Sequence, residues 1–134
     1  MPDGLKCKYI MDLTKHEIFG YRNLVGYQKA KEIVKRTYKL VSKFPSQEQY
    51  ALGDQLRRAS VSITSNIAEG VNRYSQKEKS HFIELAYGSL MEVSSQLEIA
   101  EDIGYISTQD RLFMDRLIEE EARILSGLQR SFKS

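Results

Sequence analysis

The chain has 134 residues, 41% of them hydrophobic and 28% charged, with two prolines, Pro2 and Pro45, and a single cysteine, Cys7. This is the length and composition of one helical globular domain; it excludes a disordered or fibrous chain, an internal disulfide and a cysteine-rich zinc cluster. No apolar run reaches the roughly 20 residues that span a bilayer and the N-terminus lacks a signal-peptide layout, so a cytoplasmic protein with no membrane partner is expected.

Residues 1–20 hold Gly4 and Gly20 and no sustained period, and read as an N-terminal arm ahead of a bundle domain over residues 21–134. Over residues 23–43 the positions Tyr27, Ala30, Ile33, Val34, Thr37, Tyr38 and Val41 recur at three and four, a helical spacing that Phe44-Pro45 ends. Ser46 followed by Gln49 reads as a capping box, which opens a second helix running to Glu69 with Gly70 as its left-handed closing residue. Ser75 and Glu78 repeat that signal for a long third helix ended by Gly104. A cap at Ser107 or Thr108, with Asp110 in the first turn, opens a fourth helix that continues to about Phe132. Long helices joined by short connections fold back on their neighbours, so the sequence predicts an all-α, antiparallel up-down-up-down four-helix bundle.

Helical periodicity assigns the core. Leu52, Leu56, Ala59, Ile63 and Ile67 share a face of the second helix, and Phe82, Leu85, Ala86, Ser89, Val93, Leu97, Ala100 and Ile103 share one of the third. The fourth contributes Phe113, Leu117, Ile124, Leu125, Leu128 and Phe132. Small residues at Ala59, Ala86, Gly88 and Ser89 are expected to bring the second and third helices close together.

Beside this apolar stripe runs a polar border: Gln55, Ser62, Asn66 and Glu69 on the second helix, with Arg57 and Arg58 nearby, and Glu92 and Gln96 on the third. Glu121 interrupts the apolar face of the fourth helix and must be paired, neutral or near water. The border reads as a hydrogen-bond network that fixes helix register. Its alternative is a ligand or catalytic cleft in which Glu69 and Glu92 act as acid and base. No nucleophile–base pair or substrate-positioning loop accompanies them, so no catalytic residue and no enzymatic activity is assigned. A di-iron centre would need two Glu-x-x-His motifs and two further glutamates. The chain has only His16 and His81, and Glu78 with His81 makes a single copy, so no metal and no cofactor is expected.

The segments KFPSQEQYALGDQLRRASVSITSNIAEG, residues 43–70, and SHFIELAYGSLMEVSSQLEIAEDIGYI, residues 80–106, resemble the 23S rRNA intervening-sequence proteins. The resemblance extends over about residues 21–130 and leaves the first 20 outside. Where that family commonly has an early tryptophan in its first helix, Tyr27 stands here. The resemblance implies a bundle that assembles into a ring, typically a homopentamer, encoded within or like insertions in ribosomal RNA genes. A related branch, the accessory variability proteins of diversity-generating retroelements, is implicated in binding RNA and a reverse transcriptase.

Two outer surfaces bear on partners. Tyr50, Val61 and Ala68 on the second helix and Ile83, Tyr87 and Met91 on the third lie opposite the assigned core, and an apolar outer strip is expected to form a homo-oligomer interface. Net charge is only +2, yet residues 1–45 carry +6 and residues 46–134 carry −4. The first helix concentrates this charge: Arg22, Lys29, Lys31, Lys35, Arg36, Lys39 and Lys43 are candidate nucleic-acid contacts, interrupted only by Glu32. The alternative is a solvated helix face. No aromatic RNP motif, KH loop or zinc knuckle is present, so any RNA contact is expected to be non-specific for base. The leading role read from the sequence is an RNA-binding or nucleoprotein scaffold, and its rival is a protein–protein adaptor.

Overall fold

The computed structural model describes residues 19–133. The expected arm, with Cys7 and His16, lies outside the described residues except for Phe19 and Gly20. The described residues form four helices and no strand: α1 (Val25–Val41), α2 (Leu52–Val71), α3 (Gln76–Asp102) and α4 (Thr108–Phe132). Short 3-10 turns, Gly20–Asn23 and Ser46–Tyr50, precede α1 and α2.

Local chemistry explains the helix ends. The Ser75 hydroxyl accepts a hydrogen bond from the Glu78 amide at 3.0 Å, and Ser107 accepts one from the Asp110 amide at 3.0 Å, so α3 and α4 start on side-chain caps as the sequence predicts. At the end of α3, Gly104 takes φ +85, and the amides of Gly104 and Tyr105 return to the carbonyls of Glu101 and Ala100 at 3.0 and 2.8 Å. This paired closure needs a left-handed residue, which glycine adopts without steric cost.

The start and end of α2 differ from expectation. Ser46 caps nothing: it is the first residue of a 3-10 turn whose cap position is held by Pro45, which makes no side-chain cap bond. Gln49 instead reaches back to α1, donating to the Val41 and Phe44 carbonyls at 2.7 and 3.1 Å, and Arg57 donates to the Gln49 carbonyl at 2.6 Å. Carbonyls at the end of α1 thus compete successfully for the glutamine, and α2 starts only at Leu52. Gly70 lies inside α2 rather than closing it. A Cβ there would sit 2.7 Å from Phe82 Cβ, so its role is close approach of α2 to α3.

One hydrophobic core runs the length of the helices, with Ile33 and Ala30 from α1, Leu56, Ile63 and Ile67 from α2, and Leu125, Leu128 and Phe132 from α4. From α3 it takes Ile83, Ala86, Leu90, Val93, Leu97 and Ala100, an unbroken alternation of three and four. The α3 face is therefore rotated from the one assigned by sequence: Leu85 and Ile103 are 42% and 52% exposed, while Leu90 and Ile83 are fully buried. Gly88 meets open space, so close approach at mid-helix rests on Ala59, Ala86 and Ser89. On α4, Phe113 is 40% exposed and Met114 takes the core position. Among the described residues no helix is long and apolar enough to cross a membrane.

Candidate nucleic-acid interface

The cations on and flanking α1 divide into two groups. Lys29 is engaged by its own fold: its ammonium lies 2.9 Å from Glu120 on α4 and 3.8 Å from Glu32. The Glu120 hydrogen bond raises the Lys29 pKa above the ordinary lysine value. Arg22, in the first 3-10 turn, places its guanidinium 4.4 Å over the Phe19 ring. Lys31 sits 5.7 Å over Tyr27. Lys35, Lys39 and Lys43 are exposed and make no ion pair with any described residue. Arg36 has a loose pair with Glu32 at 3.8 Å and lies 4.5 Å over the ring of Phe113 from α4. A groove of about 350 Å³ opens at this place, lined by Arg36, Lys39, Lys43, Asp110, Phe113 and Met114. Periodicity drew Phe113 into the core because it lies four residues before Leu117; its actual partner, Arg36, is remote in sequence and carries no local signal.

The polar border is also divided. Along the α2/α3 seam the Ser62 and Ser89 hydroxyls bond at 2.8 Å, Asn66 donates to the Ser62 carbonyl at 2.9 Å, and Gln96 donates to Gln55 at 3.2 Å and to Glu92 at 3.3 Å. The other residues are drawn elsewhere. Glu69 pairs with Arg73 at 2.5 Å, Arg58 with Asp54 at 3.1 Å, and Arg57 with Gln49. Since Gln55 meets Gln96 and Gly70 meets Phe82, Glu69 and Glu92 lie at different levels of the seam, separated by about 15 Å at 1.5 Å of rise per residue. That distance brings no common proton donor and acceptor to one substrate.

Glu121 belongs to neither set. It is fully buried where α4 packs on α1, with an oxygen 4.0 Å from the position a Gly26 Cβ would take. Neither carboxyl oxygen has a hydrogen-bond partner among the described residues, and burial pushes its pKa up to about 9, so the group is protonated and neutral near pH 7. A further cluster has no sequence-level signal: Arg111 bonds Glu101 at the end of α3 and Asp115 at 2.6 Å, fastening α3 to α4. Hydrogen bonds from Thr108 and Arg111 hold the Glu101 carboxyl below the usual carboxylate range.

Of the outer strip, Ile83 is corrected to the core, where it is fully buried. Ala68 is half-buried, Tyr50 and Val61 are exposed, and these do not join the α3 residues in one groove. Tyr87 and Met91 do meet Leu112, Ile118 and Ala122 of α4 in a groove of about 590 Å³, rimmed by Asp115, Arg116 and Glu119. His81 is exposed, with Nδ1 3.9 Å from Glu84. No group of three or more His, Cys, Asp or Glu among the described residues is arranged to hold a metal.

The family model described as 23S rRNA-intervening sequence protein matches residues 22–127, which contain most of all four helices, and the chain belongs to this family. A solved structure of a protein of unknown function from the S23 ribosomal protein family of Bacteroides thetaiotaomicron superposes with a TM-score of 0.71 at 21% identity, covering 82% of this chain and 100% of that one. At that identity the likeness speaks for the fold. The curated proteins contain no match to the chain.

Proposed function

We propose that the protein is a non-enzymatic, self-associating bundle that scaffolds RNA or a ribonucleoprotein, with α1 as its RNA-facing surface. The observation that carries this reading is the row of exposed cations, Lys35 and Lys39 on α1 and Lys43 just past its end, left without ion pairs among the described residues while Lys29 on α1 is fully engaged. Unpaired cations on a rigid helix release counterions from a phosphate backbone with little rearrangement. Side-chain pairings support an antiparallel up-down-up-down arrangement: Ser62 with Ser89 and Gln55 with Gln96 across α2/α3, and Lys29 with Glu120 and Arg36 with Phe113 across α1/α4. The family resemblance argues for a homopentameric ring, which would repeat the basic face around its axis. A cytoplasmic setting fits this role.

The test is a pull-down of the tagged protein with and without nuclease, followed by sequencing of the retained RNA. Nuclease-sensitive recovery of RNA by the wild type, lost in Lys35→Glu/Lys39→Glu/Lys43→Glu, is expected; equal recovery by both proteins contradicts the reading. A second reading, an adaptor that grips another protein, is favoured by the groove in which Tyr87, Met91 and Leu112 meet. It is distinguished by a partner retained after nuclease and insensitive to salt.

A further inference from the structure

We infer that the groove between the C-terminal half of α1 and the first turns of α4 seats one unpaired nucleotide of an RNA strand, with its base on the Phe113–Arg36 pair and its phosphates on Lys39 and Lys43. This rests on the RNA-binding reading above and adds a base contact that a merely cationic surface lacks.

Three observations converge. The first is the platform. Phe113 is 40% exposed although its neighbours Met114 and Leu117 are buried, and the Arg36 guanidinium is held 4.5 Å over its ring. The cation–π contact positions the arginine without consuming it, since its one ion pair among the described residues is the loose one with Glu32 at 3.8 Å. Aromatic rings and guanidinium planes are the two side-chain surfaces on which unstacked bases settle.

The second is charge. Arg36, Lys39 and Lys43 face a single carboxylate, Asp110, whose place in the first turn of α4 suits the positive end of that helix. Even with Glu32 set against Arg36 the groove keeps an excess of positive charge, and neither lysine is paired within the described chain. The third is size. A groove of about 350 Å³ lies at the small end of the range for ligand pockets, about 300–1,000 Å³, and suits one nucleotide. A duplex keeps its bases stacked inside and presents backbone and groove edges, so a base-stacking platform selects a single strand.

The experiment compares the full chain and its variants by fluorescence anisotropy against a short oligoadenylate, the corresponding deoxyadenylate and an abasic ribose-phosphate strand of equal length. The wild type is expected to bind the oligoadenylate about five- to a hundredfold more tightly than the abasic strand, the range that one stacked base supplies. Phe113→Leu is expected to remove that preference and leave abasic binding unchanged, while Phe113→Tyr keeps it. Quenching of a 2-aminopurine placed in the strand is expected with the wild type and lost in Phe113→Leu. Arg36→Ala, on the exposed side of α1, supplies a parallel loss of preference without altering α4, and circular dichroism checks that each variant is folded. Equal wild-type affinity for base-bearing and abasic strands, or equal weakening of both by Phe113→Leu, overturns the base contact; continued loss of binding in Lys39→Glu/Lys43→Glu then leaves the cationic reading standing. Tighter binding of the deoxy strand overturns RNA as the occupant. Failure of the wild type to bind any strand at about 50 mM salt removes the parent reading itself.

Discussion

A carboxyl group sealed between α1 and α4 without a hydrogen-bond partner can be charged only against a heavy desolvation penalty, and Glu121 is such a group. Lys29 of α1 is the cation that faces it, but the ammonium is held by Glu120, whose own negative charge opposes ionisation of Glu121. The folded protein therefore keeps the Glu121 proton up to about pH 9, whereas the unfolded chain releases it near 4.5. Stability from this site is complete at the acid end of that window and falls as pH rises through it, by at most about 1.4 kcal/mol per pH unit for one proton. Glu121→Gln, neutral at every pH, is expected to flatten the urea midpoint between about pH 5 and 9; a slope that survives in the variant contradicts a neutral Glu121. Glu101 acts with the opposite sign, because its pKa is lowered by Thr108 and Arg111, and its contribution is lost only as the pH falls into the acid range. The sequence limits Glu121 to being paired, neutral or wet, but choosing among these needs to know that Lys29 turns to Glu120. Both contacts cross between helices, which is why the candidate cations from Arg22 to Lys43 read as uniformly available when Lys29 is not.

Among the elements, caps were legible and faces less so. Ser75 and Ser107 act within three residues of themselves, so spacing alone identifies them. Ser46 has the same local pattern, yet Gln49 is captured by carbonyls of the preceding helix. The buried face of α3 differs from the one periodicity predicts because this helix is apolar on two sides: Phe82, Leu85 and Ile103 compete with Ile83 and Leu90, while Ala86, Val93, Leu97 and Ala100 serve either stripe. The regular alternation of three and four from Ile83 to Ala100 is the discriminating signal. It makes the energetic difference testable. Leu90→Ala is expected to cost about 2–5 kcal/mol through loss of a fully buried side chain. Leu85→Ala is expected to stay within about 1 kcal/mol, as for a partly exposed position. Urea denaturation of the two variants decides this, and equal losses would restore the stripe read from Leu85. Gly70→Ala is expected to cost about 1–3 kcal/mol, measured the same way, because Phe82 Cβ leaves no room for a methyl group; an unchanged midpoint would show that α2 and α3 can move apart freely.

At the scale of the whole molecule, helix number and the short connections were open to direct reading, since punctuation by Pro45, Gly104 and the two serine caps divides the chain with little ambiguity. The surfaces were not, because a groove is made by residues from two helices. Periodicity puts Met91 on an outer strip with Ile83, but the structure joins it to Leu112 and Ile118 of α4 instead. If this groove is the contact between copies, Met91→Glu is expected to shift sedimentation toward monomer by setting a charge beside Leu112 and Ile118, and unchanged sedimentation removes the groove from the assembly. The asymmetry of charge along the chain points the same way as the geometry: the positive excess is concentrated before residue 46, and on α1 its unpaired part faces outward. The most direct measurement is a salt titration of single-stranded RNA affinity for the wild type and for Lys35→Glu/Lys39→Glu/Lys43→Glu. Affinity of the wild type is expected to fall steeply with salt, with a log–log slope that shrinks by about 2 units in the variant, three phosphate contacts at about 0.7 each. Salt-independent binding, or the same slope in both proteins, would contradict an RNA-facing α1.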